Sequence, residues 1–193
     1  RIHQHSAVQR IAPTGVLTLQ DGRELPFERI ANIAGPWALE LLAQSGLQAE
    51  HRLDLVRGSH LVLAAPCPQA YLCEVPGERR IFFVLPWQGQ TLLGTTEVRQ
   101  GLDETIACSQ AEEAYLLAAY QHYRTQQAPQ PAISSRFAGL RPLIYSAADP
   151  SRATREYALE RQGRILTVVG GKWTTSMALA DKVAAQLALA HRP

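Results

Sequence analysis

The sequence predicts an α+β fold in which an antiparallel sheet with flanking helices is inserted into an incomplete α/β domain. Two strand-to-helix units, one near each end of the chain, make the α/β part. Between them runs a succession of short strands joined by tight turns, which makes the sheet. No Gly-x-Gly-x-x-Gly occurs in the 193 residues, so the α/β part lacks a dinucleotide-binding fingerprint of its own. The expected division is 1–51 for the first part of the α/β domain, 52–147 for the inserted sheet, and 148–193 for the return to the α/β domain and its last helix.

In chain order, Val16 to Leu25 reads as a hairpin about Asp21-Gly22, a dipeptide that accepts the positive φ of a tight turn. Arg29 to Ala34 reads as a buried strand. It runs into Gly35-Pro36-Trp37 and a helical pattern from Ala38 to Ala43, with Pro36 suited to a first turn and Ser45-Gly46 to the end. Leu53 to Ala64 is a long strand interrupted by Arg57-Gly58-Ser59-His60. Tyr71 to Val75 and Arg80 to Leu85 pair about Pro76-Gly77, and Thr91 to Val98 adds a further strand. Ser109 and Glu112 form a capping box that starts a helix, with Ala111, Ala114, Tyr115, Ala118 and Ala119 as its inner stripe. Gln126 to Pro131 is a linker. Ala138 to Tyr145, Arg155 to Arg161 and Arg164 to Val169 read as strands. After Gly170-Gly171 a helix follows from Trp173 to Leu189, with Met177, Ala180, Val183, Ala184 and Leu187 inward.

Composition narrows the function. Hydrophobic residues make up 46%, enough for a core, and the net charge of +2 implies no surface for a nucleic acid. No run approaches the roughly 18 apolar residues of a membrane span, and Arg1-Ile2-His3-Gln4-His5 is too polar for a signal peptide. Cys67, Cys73 and Cys108 are odd in number and without a Cys-x-x-Cys, which argues for a reducing compartment and against a zinc site. His3 and His5 lack a third ligand, so no metal is expected.

Three segments carry chemistry. Gly170-Gly171-Lys172-Trp173-Thr174-Thr175 joins an apolar strand to a helix. It suits close approach of a ligand to the backbone, with an anion or a developing negative charge at the helix start; a tight turn with a threonine cap is the other reading. Gly139-Leu140-Arg141-Pro142-Leu143 places a guanidinium in an apolar strand, and Arg155 opens the next one. Such a group needs an anion, either a bound phosphate or carboxylate or an internal partner at Asp149, Glu156 or Glu160. His60 suits a general base or a structural role. His51, His122 and His191 fall near helix ends or linkers and are expected to be solvated.

Six segments, in this order and approximate spacing, resemble FAD-dependent glycerol-3-phosphate dehydrogenases: Asn32-Ile33-Ala34-Gly35-Pro36-Trp37, Arg57-Gly58-Ser59-His60, Gly94-Thr95-Thr96-Glu97, Gly139-Leu140-Arg141-Pro142-Leu143, Thr154-Arg155-Glu156-Tyr157, and Gly170 to Thr175. The sequence departs from that family at Trp173 and at Ser176-Met177. The resemblance implies a D-amino-acid-oxidase-like FAD-binding domain carrying a substrate-binding cap. It also implies FAD as cofactor and oxidation of glycerol 3-phosphate to dihydroxyacetone phosphate, with electrons passing to quinone.

The resemblance further implies residue roles: Arg141, Arg155 and Thr174 at the substrate; Gly35, Gly170, Gly171, Lys172 and Thr174 at FAD; His60 and Lys172 as candidate catalytic groups. It implies a cytoplasmic chain whose parent sits peripherally on the inner face of the cytoplasmic membrane through segments outside this sequence, and it allows a homodimer. An FAD-dependent oxidase of an amino or hydroxy acid, and a catalytically inert anion-binding fragment, remain the alternatives.

Overall fold

A computed structural model describes residues 1–124, 129–145 and 157–189. The chain divides into two compact units, Arg1–Asp54 with Pro142–Pro193, and Leu55–Arg141.

The first unit begins with a three-stranded antiparallel sheet, β1 (Val8–Ile11), β2 (Val16–Leu19) and β3 (Glu24–Pro26). β2 and β3 turn at Asp21-Gly22, with Gly22 at φ +85° and the Asp21 carboxylate accepting from the Arg23 N–H and guanidinium. β1 was not anticipated: Val8-Gln9-Arg10-Ile11 is half polar and has no turn residue to announce it.

A second sheet runs in the order β11 (Tyr157–Gln162), β12 (Ile165–Gly170), β4 (Ile30–Asn32). β12 is antiparallel to β11 and parallel to β4, with Thr167 beside Asn32. α1 (Ala38–Gln44) and α3 (Ser176–Leu189) complete the unit. Ile165 packs with Ile11, Ile30 and Leu42, whereas Leu166 and Val168 pack with Val183. Alternate β12 side chains therefore enter two cores, and the strand is apolar on both sides of Thr167 because both its faces are covered.

Two expectations need correcting here. The inner face of α3 is Leu179, Val183 and Leu187, not Met177, Ala180 and Ala184; Met177 is 79% exposed. Leu179, Val183 and Leu187, at i, i+4 and i+8, bury more apolar area per turn than alanines, and so decide which face turns in. His51 is not simply solvated. The Glu160 carboxylate accepts from the N–H groups of Glu50 (3.0 Å) and His51 (2.9 Å) and lies 2.8 Å from His51 Nδ1.

The second unit is built on a six-stranded antiparallel sheet: β5 (Leu53–Leu63), β6 (Tyr71–Glu74), β7 (Ile81–Trp87), β8 (Gln90–Gly94), β9 (Val98–Arg99) and β10 (Ile133–Ile144). The order is β10-β5-β8-β7-β6, with β9 on β5. β5 is uninterrupted, contrary to expectation. The polar tetrapeptide Arg57 to His60 keeps its ladder because each side chain finds a partner or a ring to pack on. The predicted strand from Thr91 to Val98 ends at Gly94, and β9 is separate.

α2 (Gln110–His122) starts at the Ser109–Glu112 capping box, with both reciprocal bonds formed. Its buried side is Glu112, Leu116 and Ala119; Ala111, Ala114 and Ala118 face solvent. Leu116 and Ala119 join Leu61, Leu63, Phe82, Val84 and Leu93 in the core on one side of the sheet. On the other side, Leu72 pairs with Phe83, Phe83 with Gly94, and Gly94 with His60, whose ring stacks on Phe137. That row is open: Leu72, Phe83 and Phe137 are all exposed. No helix among the described residues is long and apolar enough to cross a membrane.

Candidate functional site

Each unit carries one group of the residues singled out in the sequence. In the first unit they lie on the turns that follow two parallel neighbouring strands, β4 and β12. Ligands of α/β sheets bind at such carboxyl ends.

After β4, the buried Asn32 donates from Nδ2 to the Ala38 carbonyl (2.9 Å) and its Oδ1 accepts from the Ala34 N–H (3.3 Å). The amide thereby pins the 3₁₀ turn Gly35–Trp37 to the end of the strand. Gly35 has φ +56°, and nothing lies within 4 Å of where its Cβ would stand. After β12, Gly170 and Gly171 have φ +78° and +98°, a region L side chains enter only with strain.

Lys172 is extended and exposed, and Trp173–Thr175 forms a short 3₁₀ turn leading into α3. No side chain caps this turn. The threonine hydroxyl that bonds there is that of Thr175, which donates to the Lys172 carbonyl (3.3 Å). Thr174 is exposed, and Trp173 is 90% exposed.

In the second unit, Arg141 lies on β10 beside β5. Its Nη2 donates to Thr95 Oγ1 (2.7 Å) and its Nη1 to the Thr96 carbonyl (3.3 Å). A Cβ at Gly58 would overlap the Arg141 guanidinium, so that group lies directly on the β5 backbone. A Cβ at Gly94 would likewise overlap the His60 ring.

His60 stacks on Phe137 with ring centroids 4.9 Å apart and planes 7° from parallel. Its Nδ1 is buried and has no hydrogen-bond partner among the described residues. Burial first, and the Arg141 charge second, hold the imidazole's pKa below its ordinary 6.5; the Gly58 backbone offsets this only in part.

Behind this surface lies a polar cluster that the sequence reading did not find. Glu112 Oε1 accepts from the Thr96 hydroxyl (2.6 Å) and the Ser59 hydroxyl (2.8 Å). Its Oε2 accepts from the Ser109 N–H (3.0 Å) and hydroxyl (2.7 Å), and from Arg57 Nη2 at 2.8 Å. Arg57 Nη1 also donates to Gln100 Oε1 (2.6 Å). Burial by itself would raise the Glu112 carboxyl, but the bonds from Thr96 and Ser109 and the Arg57 pair outweigh it and bring it to about 2. The capping box signalled Glu112 only as a helix start. Nothing local showed that its second oxygen reaches two other elements.

His60 and Arg141 thus share one unit, while Gly35, Gly170, Gly171, Lys172 and Thr174 share the other. Arg155 lies outside the described residues, as do the candidate acids Asp149 and Glu156. Glu160 is engaged with Glu50 and His51, and Arg141 donates to Thr95 and Thr96. No group of His, Cys, Asp and Glu that could hold a metal occurs among the described residues.

Comparison with known proteins places this arrangement. The profile of the DAO family, FAD dependent oxidoreductase, matches residues 1–186. A glycerol-3-phosphate dehydrogenase of Pseudomonas aeruginosa is 34% identical over 169 residues, covering 82% of this chain and 33% of that protein. An aerobic glycerol-3-phosphate dehydrogenase of Staphylococcus aureus is 28% identical over 163 residues, covering 81% of this chain and 29% of its own. The chain therefore spans about a third of the length of these curated relatives.

Among solved structures, the glycerol-3-phosphate dehydrogenase of Bacillus halodurans complexed with FAD superposes with a TM-score of 0.81 at 22% identity, covering 99% of this chain and 40% of that one. Glycine oxidase of Geobacillus kaustophilus gives 0.68 at 19% identity, covering 100% and 50%. The fold is the one these oxidoreductases share.

Proposed function

We propose that this chain, which belongs to the DAO family of FAD dependent oxidoreductases, is the cap and part of the cofactor domain of an enzyme that oxidises glycerol 3-phosphate to dihydroxyacetone phosphate and passes the electrons to a quinone. The observation that carries the reading is the seating of Arg141 on the open face of the cap sheet, in the same unit as His60, whose ring stacks on Phe137.

The turns after β4 and β12 fit FAD. Gly35 leaves open space where a side chain would stand, and Gly170-Gly171 takes a path that needs no Cβ, so backbone can approach a flat cofactor closely. Gly35, Gly170, Gly171, Lys172 and Thr174 are the residues that would hold it. When bound, FAD supplies a two-electron acceptor for the hydride that leaves C2 of the substrate.

The chain's own residues do the rest. Arg141 forms a charge-assisted fork on the substrate phosphate and so fixes where C2 lies; Arg155 is the second arginine of this reading. The His60 imidazole, neutral at neutral pH, accepts the C2 hydroxyl proton as the hydride departs. The N-terminal end of α3, reached through Lys172 and Thr174, would supply positive potential to an FAD held by these turns.

The test is anaerobic reduction of the full-length flavoprotein, read as bleaching of its visible absorbance. Glycerol 3-phosphate is expected to bleach it, and a quinone to restore the colour. Bleaching by glycine or lactate, with none by glycerol 3-phosphate, would replace this reading with an oxidase of amino or hydroxy acids.

A further inference from the structure

The Glu112 carboxylate is spread over more than its helix needs. A capping box uses one carboxylate oxygen on the cap residue, and Oε2 already does that at Ser109. Oε1 leaves the helix altogether: it accepts from Ser59 on β5 and from Thr96, just past the end of β8. An ion pair with Arg57 on the core side adds little to stability that an apolar replacement would not match. Packing and capping alone therefore do not account for a charged group at this place.

What the second oxygen does is fix Thr96. The Thr96 Oγ1 donates to Glu112 (2.6 Å) and accepts from the Ser59 N–H (2.9 Å), so the side chain is held from both directions. Its backbone is thereby set, and with it two acceptors of Arg141: the Thr96 carbonyl (3.3 Å) and the hydroxyl of adjacent Thr95 (2.7 Å). The Thr95 hydroxyl is itself oriented by donating to the Thr96 carbonyl (3.3 Å). Gly58 supplies the floor under the guanidinium. An arginine loses rotamer freedom whenever it binds an anion. One already held on two acceptors and a bare strand has surrendered that freedom beforehand.

We propose that Glu112, acting through Thr96 and Thr95, is a positioning residue that seats the Arg141 guanidinium and thereby sets the preference for a phosphorylated substrate. The inference rests on the reading of Arg141 as a phosphate ligand. Neither Glu112 nor the two threonines touch the reacting atoms in it; they act on the arginine that does.

The experiment uses the full-length enzyme and reads kcat and KM separately, for glycerol 3-phosphate and for glycerol, with inorganic phosphate as a competitive inhibitor. Glu112→Gln and Thr95→Val are each expected to raise the KM for glycerol 3-phosphate and the inhibition constant for phosphate by roughly 10-fold, the worth of one weakened bond to a charged group. kcat should move much less, and the loss for glycerol 3-phosphate should exceed that for glycerol. Thr95→Ser, which keeps the hydroxyl, should restore the selectivity that Thr95→Val loses. In an Arg141→Ala background, Glu112→Gln should no longer change the ratio of the two substrates.

Equal losses for both substrates in Glu112→Gln, or the same result from Thr95→Val and Thr95→Ser, would overturn the proposal. Thr95 lies outside the buried carboxylate cluster, so its pair of variants decides the matter even where Glu112→Gln fails to fold. Arg141→Ala separates the two levels. A selectivity indifferent to Arg141 removes the phosphate reading itself. A selectivity that collapses with Arg141 but ignores Thr95 and Glu112 removes only the relay.

Discussion

Arg141 and His60 influence one another, and that coupling is open to measurement. His60 is held below its ordinary pKa of 6.5 by burial first and by the Arg141 charge second. A general base works in its unprotonated form, so the acid limb of kcat/KM is expected below pH 6.5 and should vanish in His60→Gln. Removing the arginine charge in Arg141→Ala should move that limb upward, toward the ordinary value. A pH profile of the three proteins checks both statements; a limb at or above 6.5 in the native enzyme would exclude His60 as the base. Arg141→Ala should also cost glycerol 3-phosphate roughly 10- to 150-fold in kcat/KM, the equivalent of about 1.5–3 kcal/mol for a hydrogen bond to a charged group. Glycerol has no phosphate to lose and should fall by less. A common loss for both, with a lowered melting temperature, would mark Arg141 as structural.

At the scale of elements, the strands supply positions and the glycines supply room. Gly58→Ala puts a methyl where the Arg141 guanidinium lies, so it should reproduce the selectivity loss of Arg141→Ala without removing any charge. A Gly58→Ala enzyme with native selectivity would show that the guanidinium does not need its floor. On the other unit, Gly171→Val strains a residue at φ +98° whose Cβ would also stand 3.3 Å from Leu179. The full-length variant is expected to purify with substoichiometric flavin, measured by absorbance against protein concentration; stoichiometric flavin would detach this turn from the cofactor.

α2 joins the two levels through Glu112. Its carboxyl is held at about 2 against an ordinary 4.5, so the folded protein binds that proton more weakly than the unfolded chain. The resulting stabilisation is present above about pH 4.5 and is lost as the pH falls through 4.5 toward 2. Urea unfolding at pH 7 and pH 3 should show a smaller difference in Glu112→Gln than in the native chain. Glu112→Ala, which strands the Arg57 charge, should cost about 3–5 kcal/mol at neutral pH.

For the whole molecule, the two compact units divide the labour: the candidate cofactor turns lie in Arg1–Asp54 with Pro142–Pro193, and the arginine and histidine in Leu55–Arg141. The 193 residues hold no Gly-x-Gly-x-x-Gly, the element that grips a dinucleotide pyrophosphate at a helix start. The isolated chain is therefore expected to show no saturable micromolar FAD binding when titrated and followed by flavin fluorescence. Saturable binding would mean that the turns after β4 and β12 suffice.

Whatever depends on near neighbours was legible in the sequence. Asp21-Gly22 marked a hairpin, Ser109 and Glu112 a helix start, and Gly170-Gly171 the break between an apolar strand and a helix, because turn and cap preferences act over two to four residues. Ordered motifs along the chain were enough to indicate the family. Tertiary structure alone decided which side chains meet. Leu116, with Ala119, faces inward from α2 rather than Ala111, Ala114 and Ala118, because a larger apolar area had a core waiting for it. The polar run Arg57 to His60 stays in its strand because Glu112, 55 residues from Arg57, and Phe137 reach it from elsewhere. Arg141 has its described hydrogen bonds with Thr95 and Thr96, at separations of 46 and 45 residues, once the sheet sets β10 beside β5. Partners that far apart leave no periodicity or spacing to read, because only the pairing of the strands brings them within hydrogen-bond range.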